Sequence, residues 1–187
     1  MALPRPLAQY LQKHKISHLA IPHRTVFTAY DLAQTLREKL DTIGKTLLVK
    51  ANSDHILVVI PGHRRLDLGK LKKLLGAAKV VIAQEKEMVS KLKVKAGALT
   101  PFGGFHKLRV IIDTPLSKAT SLVLGSGSFT DSIRMRARDF LRMESPTVGA
   151  VSSAGSLPKV FAKKPAARKR RRPSTNSSKK RTVRKRG

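Results

Sequence analysis

Two apolar runs, Thr42 to Ala51 (TIGKTLLVKA) and Ile56 to Pro61 (ILVVIP), flank Asn52-Ser53-Asp54. β-Branched and apolar residues in short runs, parted by turn-forming residues, read as a β-hairpin. The hairpin commits the chain to a sheet, and its flanks supply what must pack on it. Leu3 to His14 is expected as a short helix, with Leu7, Tyr10, Leu11 and His14 on one stripe. His18 to His23 reads as a strand. Thr28 is placed to cap a helix with Asp31 in its first turn and Leu32, Ala33, Leu36 and Leu40 on the inner face. After the hairpin, Asp67 to Leu75 is expected as a helix closed by Gly76. Val80 to Ala83 is expected as a short buried strand, and Gln84 to Lys91 as a second helix. Leu108 to Asp113 and Ser121 to Leu124 are strands, Gly125 to Ser128 is a tight turn, and Arg138 to Met143 is helical. Ile133 to Met135 begins either a strand or a helix. Helices interrupting many short strands predict an α/β fold of the α+β type, with a mixed, largely antiparallel curved sheet and flanking short helices.

Charge divides the chain. Its 187 residues carry a net charge of +28. From Ser153 onward there are 14 Lys/Arg and no acids, which is half of that charge. The expected organisation is a folded domain over residues 1–152 and a disordered Lys/Arg-rich tail over 153–187, since the tail has almost nothing to bury. The body is basic in its own right. A polyanion, most simply nucleic acid, is the natural partner, with nonspecific attraction to ribosomes or anionic lipid as the bland alternative. There are no cysteines, which excludes disulfides, thiolate catalysis and Cys-based zinc sites. No apolar run reaches the length of a membrane span, and Arg5 is followed by no signal-peptide core, so a soluble, cytoplasmic protein without a membrane partner is expected.

Two stretches draw attention as chemistry. The first is Lys95 to Gly104 (KAGALTPFGG), where Gly97, Gly103 and Gly104 flank Pro101. Such a loop is either a plain connection or a device that aims backbone amides at one point. The second is Gly44-Lys45-Thr46. It is not a phosphate-binding P-loop, because Lys39 stands where the first glycine is required and a strand follows instead of a helix. Alternation puts Lys45, Leu47 and Val49 on one face of that strand and Thr46 and Leu48 on the other. Lys45 is then either an edge lysine reaching solvent or an ammonium donor to an oxygen in a pocket. The six histidines have no metal spacing and Gly125-Ser126-Gly127 is no nucleophile elbow, so neither a metal nor another cofactor is expected.

The order of these segments carries a resemblance. Gly44 to Val49, then Arg65-Leu66-Asp67-Leu68, Gly97 to Gly103, Ile111-Ile112-Asp113, Gly125 to Ser128, and Ile133-Arg134-Met135 with Asp139-Phe140 are similar to the YbaK family of aminoacyl-tRNA deacylases. That family includes the editing domain inserted in bacterial prolyl-tRNA synthetases and its free-standing relatives. The likeness runs from about Leu7 to Val151. It implies hydrolysis of the ester joining a mischarged amino acid to the 3′ end of a tRNA, with no cofactor and aminoacylated tRNA as partner. It implies that Lys45 contacts substrate near the terminal adenosine and that Gly97 and Gly103 belong to the catalytic loop. Thr46, Thr100, Pro101, Phe102, Gly127, Ser128 and Phe129 are the implied substrate-binding positions.

The chain departs from its relatives in places. Some carry a histidine two positions past the last turn glycine and others a basic pair there, where this chain has Ser128-Phe129. An apolar Phe129 favours a small or apolar amino acid. The tail has no counterpart in the family core. Its basic runs, Lys169, Arg170, Arg171 and Arg172 and then Lys179, Lys180 and Arg181, are expected to hold nucleic acid. A solubilising extension or an import signal are the alternatives. For the whole protein two other readings stand beside the deacylase: a nucleic-acid-binding protein on the same fold without hydrolase activity, and regulatory binding of a free amino acid or nucleotide.

Overall fold

The structure, a computed structural model, describes residues 3–95 and 97–155. It opens with α1 (Arg5–Lys13), β1 (His18–Pro22) and α2 (Ala29–Leu36). The hairpin follows as β2 (Ile43–Ala51) and β3 (Asp54–Pro61), then β4 (Arg64–Leu66), α3 (Leu68–Leu75), β5 (Val80–Ile82) and α4 (Glu85–Leu92). Past the glycine-rich loop come α5 (Gly103–His106), β6 (Arg109–Asp113), α6 (Thr114–Ser117), β7 (Ser121–Gly125), β8 (Asp131–Arg136) and α7 (Ala137–Glu144). The short strands β9 (Thr147–Gly149) and β10 (Ser152–Ala154) end the described residues.

The hairpin sits at the middle of the main sheet, whose order is β1-β8-β7-β2-β3-β6-β9, with β5 beside β2. β2 and β3 pair antiparallel from Gly44 opposite Pro61 to Ala51 opposite Asp54. The β1/β8, β7/β8 and β2/β5 pairs are also antiparallel, while β2/β7, β3/β6 and β6/β9 are parallel. The fold is therefore the mixed one expected.

Central position explains the sequence of β3, which is apolar and buried from Ile56 to Pro61. Leu57 and Val59 join Leu48 in a cluster with Leu7 and Leu11 of α1 and Phe140 of α7. Val58 and Ile60 join Val49 on the opposite face, against Leu71 of α3 and Ile111. A third cluster sets Leu32 and Ala33 of α2 on Ile43 and Val123. Among the described residues no helix is long and apolar enough to cross a membrane.

The cap expected at Thr28 is present, and Asp67 does the same for α3. The Asp31 amide donates to Thr28 Oγ1 (3.1 Å) and the Lys70 amide to Asp67 Oδ1 (3.0 Å), so both side chains satisfy otherwise unpaired first-turn donors. Gly76 ends α3 in the left-handed region, φ +59°. The hairpin turn does more than reverse the chain. Asn52 Oδ1 accepts from the Ala78 and Lys79 amides, at 3.0 Å each, and so ties the turn to the approach of β5.

Two expectations are corrected. β5 is not a buried strand: Val80 is buried, but Val81 and Ile82 are 38% and 47% exposed. Among the described residues the strand pairs with the far end of β2, and Val81 and Ile82 stay open to solvent. The expected boundary at 152 falls inside β10, which pairs with β4 from Ser152 opposite Leu66 to Ala154 opposite Arg64. The reason is Asp113. This buried carboxylate accepts the Val151 amide at 2.9 Å and the Ser152 hydroxyl, with Arg64 Nε at 3.9 Å. Asp113→Ala leaves both donors unpaired in a dry site, so a loss of about 3 kcal/mol and a melting temperature lower by roughly 6–12 °C are expected. Calorimetry of the variant checks this, and an unchanged melting temperature would remove Asp113 from its role.

Candidate active site

A cavity of about 430 Å³ opens where four separate segments meet. Residues 23–30 form one wall, the start of β2 the floor, Gly97 and Leu99 a second wall, and the β7–β8 turn with Ser132 the third. The walls are held by the backbone: the His23 amide donates to Thr130 O (2.8 Å) and the Val26 amide to Phe129 O (2.9 Å).

Lys45 enters from β2, on the face that alternation assigns it. Its Nζ is half-buried and donates to the Arg64 carbonyl at 2.7 Å. An ammonium has three N–H groups, so two remain for a ligand. Burial lowers its pKa, and the neighbouring positive charge of Arg65 lowers it further. Thr46 also lines the cavity, and its buried hydroxyl has no hydrogen-bond partner among the described residues.

The glycine loop divides between two tasks. Gly97 lines the cavity with φ +87°. A Cβ there would stand 3.1 Å from the Phe129 ring and 3.4 Å from the Phe27 carbonyl, so both conformation and space demand glycine. Gly103 serves the fold instead. It opens α5 against β6, where a Cβ would collide with the Val110 side chain and the Leu108 carbonyl. The Gly104 amide is spent on Glu144 Oε2 (2.9 Å), while Glu144 Oε1 accepts from Tyr10 OH (2.9 Å). Burial, then the charge and hydrogen bond of Glu144, push the Tyr10 hydroxyl well above its ordinary pKa.

The sequence-based site therefore separates. Lys45, Thr46, Gly97 and Ser128 line one cavity. Phe129 stands at its edge, its ring 5.2 Å from that of the exposed Phe27. Gly127 turns the chain at φ +92° beside Ala98 and Thr100. Pro101 is buried, and the buried Thr100 hydroxyl accepts the Phe102 amide at 3.3 Å. Phe102 is corrected: it is a core residue, fully buried between Tyr10 and Phe140, with ring centroids 6.3 and 6.0 Å away. Gly103 is corrected likewise, since it does not line the cavity and its close approach is to Val110 of β6 and the Leu108 carbonyl. Lys169 to Arg172 and Lys179 to Arg181 lie outside the described residues.

The structure adds a pair that sequence reasoning missed. His23 Nδ1 lies 2.8 Å from the Arg24 carbonyl, which can only accept. The hydrogen is thus on Nδ1, and in the neutral ring Nε2 accepts from Ser132 Oγ at 2.9 Å. Both side chains line the cavity. No local motif announces them; only the β1/β8 pairing joins positions 109 residues apart.

Comparison with known proteins bears on the same region. The aminoacyl-tRNA editing domain family matches residues 23–143. A prolyl-tRNA synthetase associated domain-containing protein 1 from Danio rerio is 30% identical over 138 residues, covering 71% of this chain and 75% of that protein. A proline–tRNA ligase from Staphylococcus saprophyticus is 33% identical over 102 residues, or 54% of this chain. The match spans only 18% of that ligase's length. Among solved structures, the hypothetical protein APE2540 superposes with a TM-score of 0.73 at 22% identity, covering 79% of this chain and 99% of that one. A structure provisionally assigned as a trans-editing enzyme for prolyl tRNA synthetase gives 0.70 at 22% identity, covering 80% and 96%. At that identity both show a shared fold.

The buried amine has a measurable signature. The charged form of Lys45 is disfavoured in the folded state, so its penalty is fully present below the lowered folded pKa. It is relieved as pH rises from there to the ordinary 10.5, because the unfolded chain then binds more protons. Lys45→Met has no such group. Urea unfolding across pH is expected to show wild-type stability rising relative to Lys45→Met through that window. A pH-independent difference would contradict the buried placement.

Proposed function

Since the chain belongs to the aminoacyl-tRNA editing domain family, we propose that it is a cytoplasmic trans-editing deacylase that hydrolyses the ester of mischarged tRNA. The observation that carries the reading is Lys45 in a cavity shared with Gly97 and Ser128. The cavity combines one amine, short hydroxyls and apolar walls from Val26, Leu47 and Leu99. A 3′-terminal aminoacyl ester needs this mixture. The amine meets the ribose or carbonyl oxygens, and the walls receive the amino-acid side chain. Ester hydrolysis requires far less activation than amide hydrolysis, so positioning with a few preorganised donors suffices.

The apolar lining and the Phe27–Phe129 ring pair favour a small or apolar amino acid. Wall shape alone discriminates by only about 1–3 kcal/mol per methylene, so selection among Ala, Ser and Cys rests on modest differences. The proline–tRNA ligases among the relatives point to proline-accepting tRNA as the first substrate to try. The basic runs at 169–172 and 179–181 supply phosphate contacts that raise the local tRNA concentration.

The test is a panel of proline tRNAs charged with Ala, Ser or Cys, with release of the amino acid followed over time. At least one is expected to be deacylated. Lys45→Ala is expected to lower kcat/KM by about 100-fold or more with the circular dichroism spectrum unchanged. Full activity in that variant would remove Lys45 from the site, and tRNA binding without release would leave a nucleic-acid-binding protein on this fold. For the tail, removal of residues 156–187, which spares β10, is expected to weaken tRNA binding and flatten its dependence on salt. An unchanged slope of affinity against salt would mean that the phosphate contacts lie on the body.

A further inference from the structure

Resting on the deacylase reading, we propose that Ser132 and His23 form the proton relay of the hydrolysis. The geometry is that of a hydroxyl, a base and an element that orients the base. Ser132 Oγ lies 2.9 Å from His23 Nε2, and His23 Nδ1 lies 2.8 Å from the Arg24 carbonyl. The carbonyl fixes the tautomer, so the neutral ring presents its lone pair to Ser132 and nowhere else. Ser132 is almost fully buried on β8, yet it lines the cavity together with Lys45. β8 is held in register with β1, Ile21 opposite Ser132, so the pair is set by rigid strand pairing.

The groups around the imidazole leave it this task. Lys45 of β2 and Tyr30 of α2 are the other titratable side chains lining the cavity. Asp131, next to Ser132, is occupied in accepting from the hydroxyls of Thr130 (2.8 Å) and Ser128 (3.2 Å). Arg24 donates from Nε to Thr35 Oγ1 at 3.0 Å. No carboxylate hydrogen-bonds to His23 among the described contacts; its orienting partner is a neutral carbonyl.

The step balances as follows. A water oxygen bonds to the ester carbonyl carbon while its proton passes to Ser132 Oγ and the serine proton passes to His23 Nε2. The tetrahedral intermediate then collapses with cleavage of the bond between the carbonyl carbon and the ribose oxygen. The proton returns from His23 through Ser132 to that oxygen. One water is consumed, the amino acid leaves as its acid, and both side chains recover their starting states.

The full-length protein, with Ala-charged proline tRNA or whichever charged tRNA of the panel it deacylates, provides the test. His23→Ala and Ser132→Ala are each expected to lower kcat by about 100-fold with KM changed less than threefold. A protonated imidazole accepts nothing, so the pH–rate profile of His23→Ala is expected to differ from that of the wild type on the acid side. Added imidazole is expected to restore part of its activity. Should His23→Ala fail to fold, His23→Gln replaces it, since its amide can keep the hydrogen bond to Ser132 but takes no proton. Activity of the folded variant within threefold of wild type overturns the relay. So does a loss with neither a changed pH profile nor rescue by imidazole, which marks a structural role. In both cases the active wild type leaves the deacylase reading standing, whereas a wild type inactive across the whole panel overturns both.

Discussion

A single buried carboxylate joins the sheet to the site. Asp113 ends β6 in an almost water-free position and accepts from the Val151 amide and the Ser152 hydroxyl. That contact fixes β10, and β10 pairs with β4. β4 in turn presents the Arg64 carbonyl that receives Lys45 Nζ. The side chain at the centre of the cavity is therefore positioned by a chain of contacts that starts on the far side of the hairpin. The first link, at Asp113, is buried, where an unpaired group is expensive and geometry is correspondingly strict; the last, at Lys45, is half-buried.

The cavity itself is a place where elements end. β1 stops at Pro22, β2 begins at Ile43, β7 stops at Gly125 and β8 begins at Asp131. Their ends bring backbone and short side chains to one space without an element crossing it. Loops on a rigid sheet hold groups at fixed separations while leaving the space open to a ligand. Phe27, exposed on the rim against Phe129, is the most conspicuous apolar surface there.

Much of this was legible from the residues. The hairpin follows from apolar runs around a turn, the helix start at Thr28 from a short polar side chain, and the facing of Lys45 from period-two alternation. These signals are local, so a linear reading finds them. What escaped depends on distant neighbours. A glycine reads alike whether a ligand or a strand approaches it: Gly97 faces the cavity, while Gly103 accommodates β6. Phe102 reads alike as pocket wall or core until Tyr10 and Phe140 are seen to enclose it. His23 and Ser132 carry no motif, and only strand pairing makes them neighbours. The short strands β4, β9 and β10 have too few residues for any periodicity to register.

The Arg64 carbonyl that receives Lys45 belongs to a strand whose partner is the last strand among the described residues. A ribosome delivers Lys45 more than a hundred residues before it delivers Ser152 to Ala154. Domains built from the N-terminus onward can pair β2 with β3 early, but β4 must wait for β10. The sheet can thus be largely assembled on the nascent chain while the amine in its cavity still lacks its fixed partner. Completion of the site is tied to completion of the folded body.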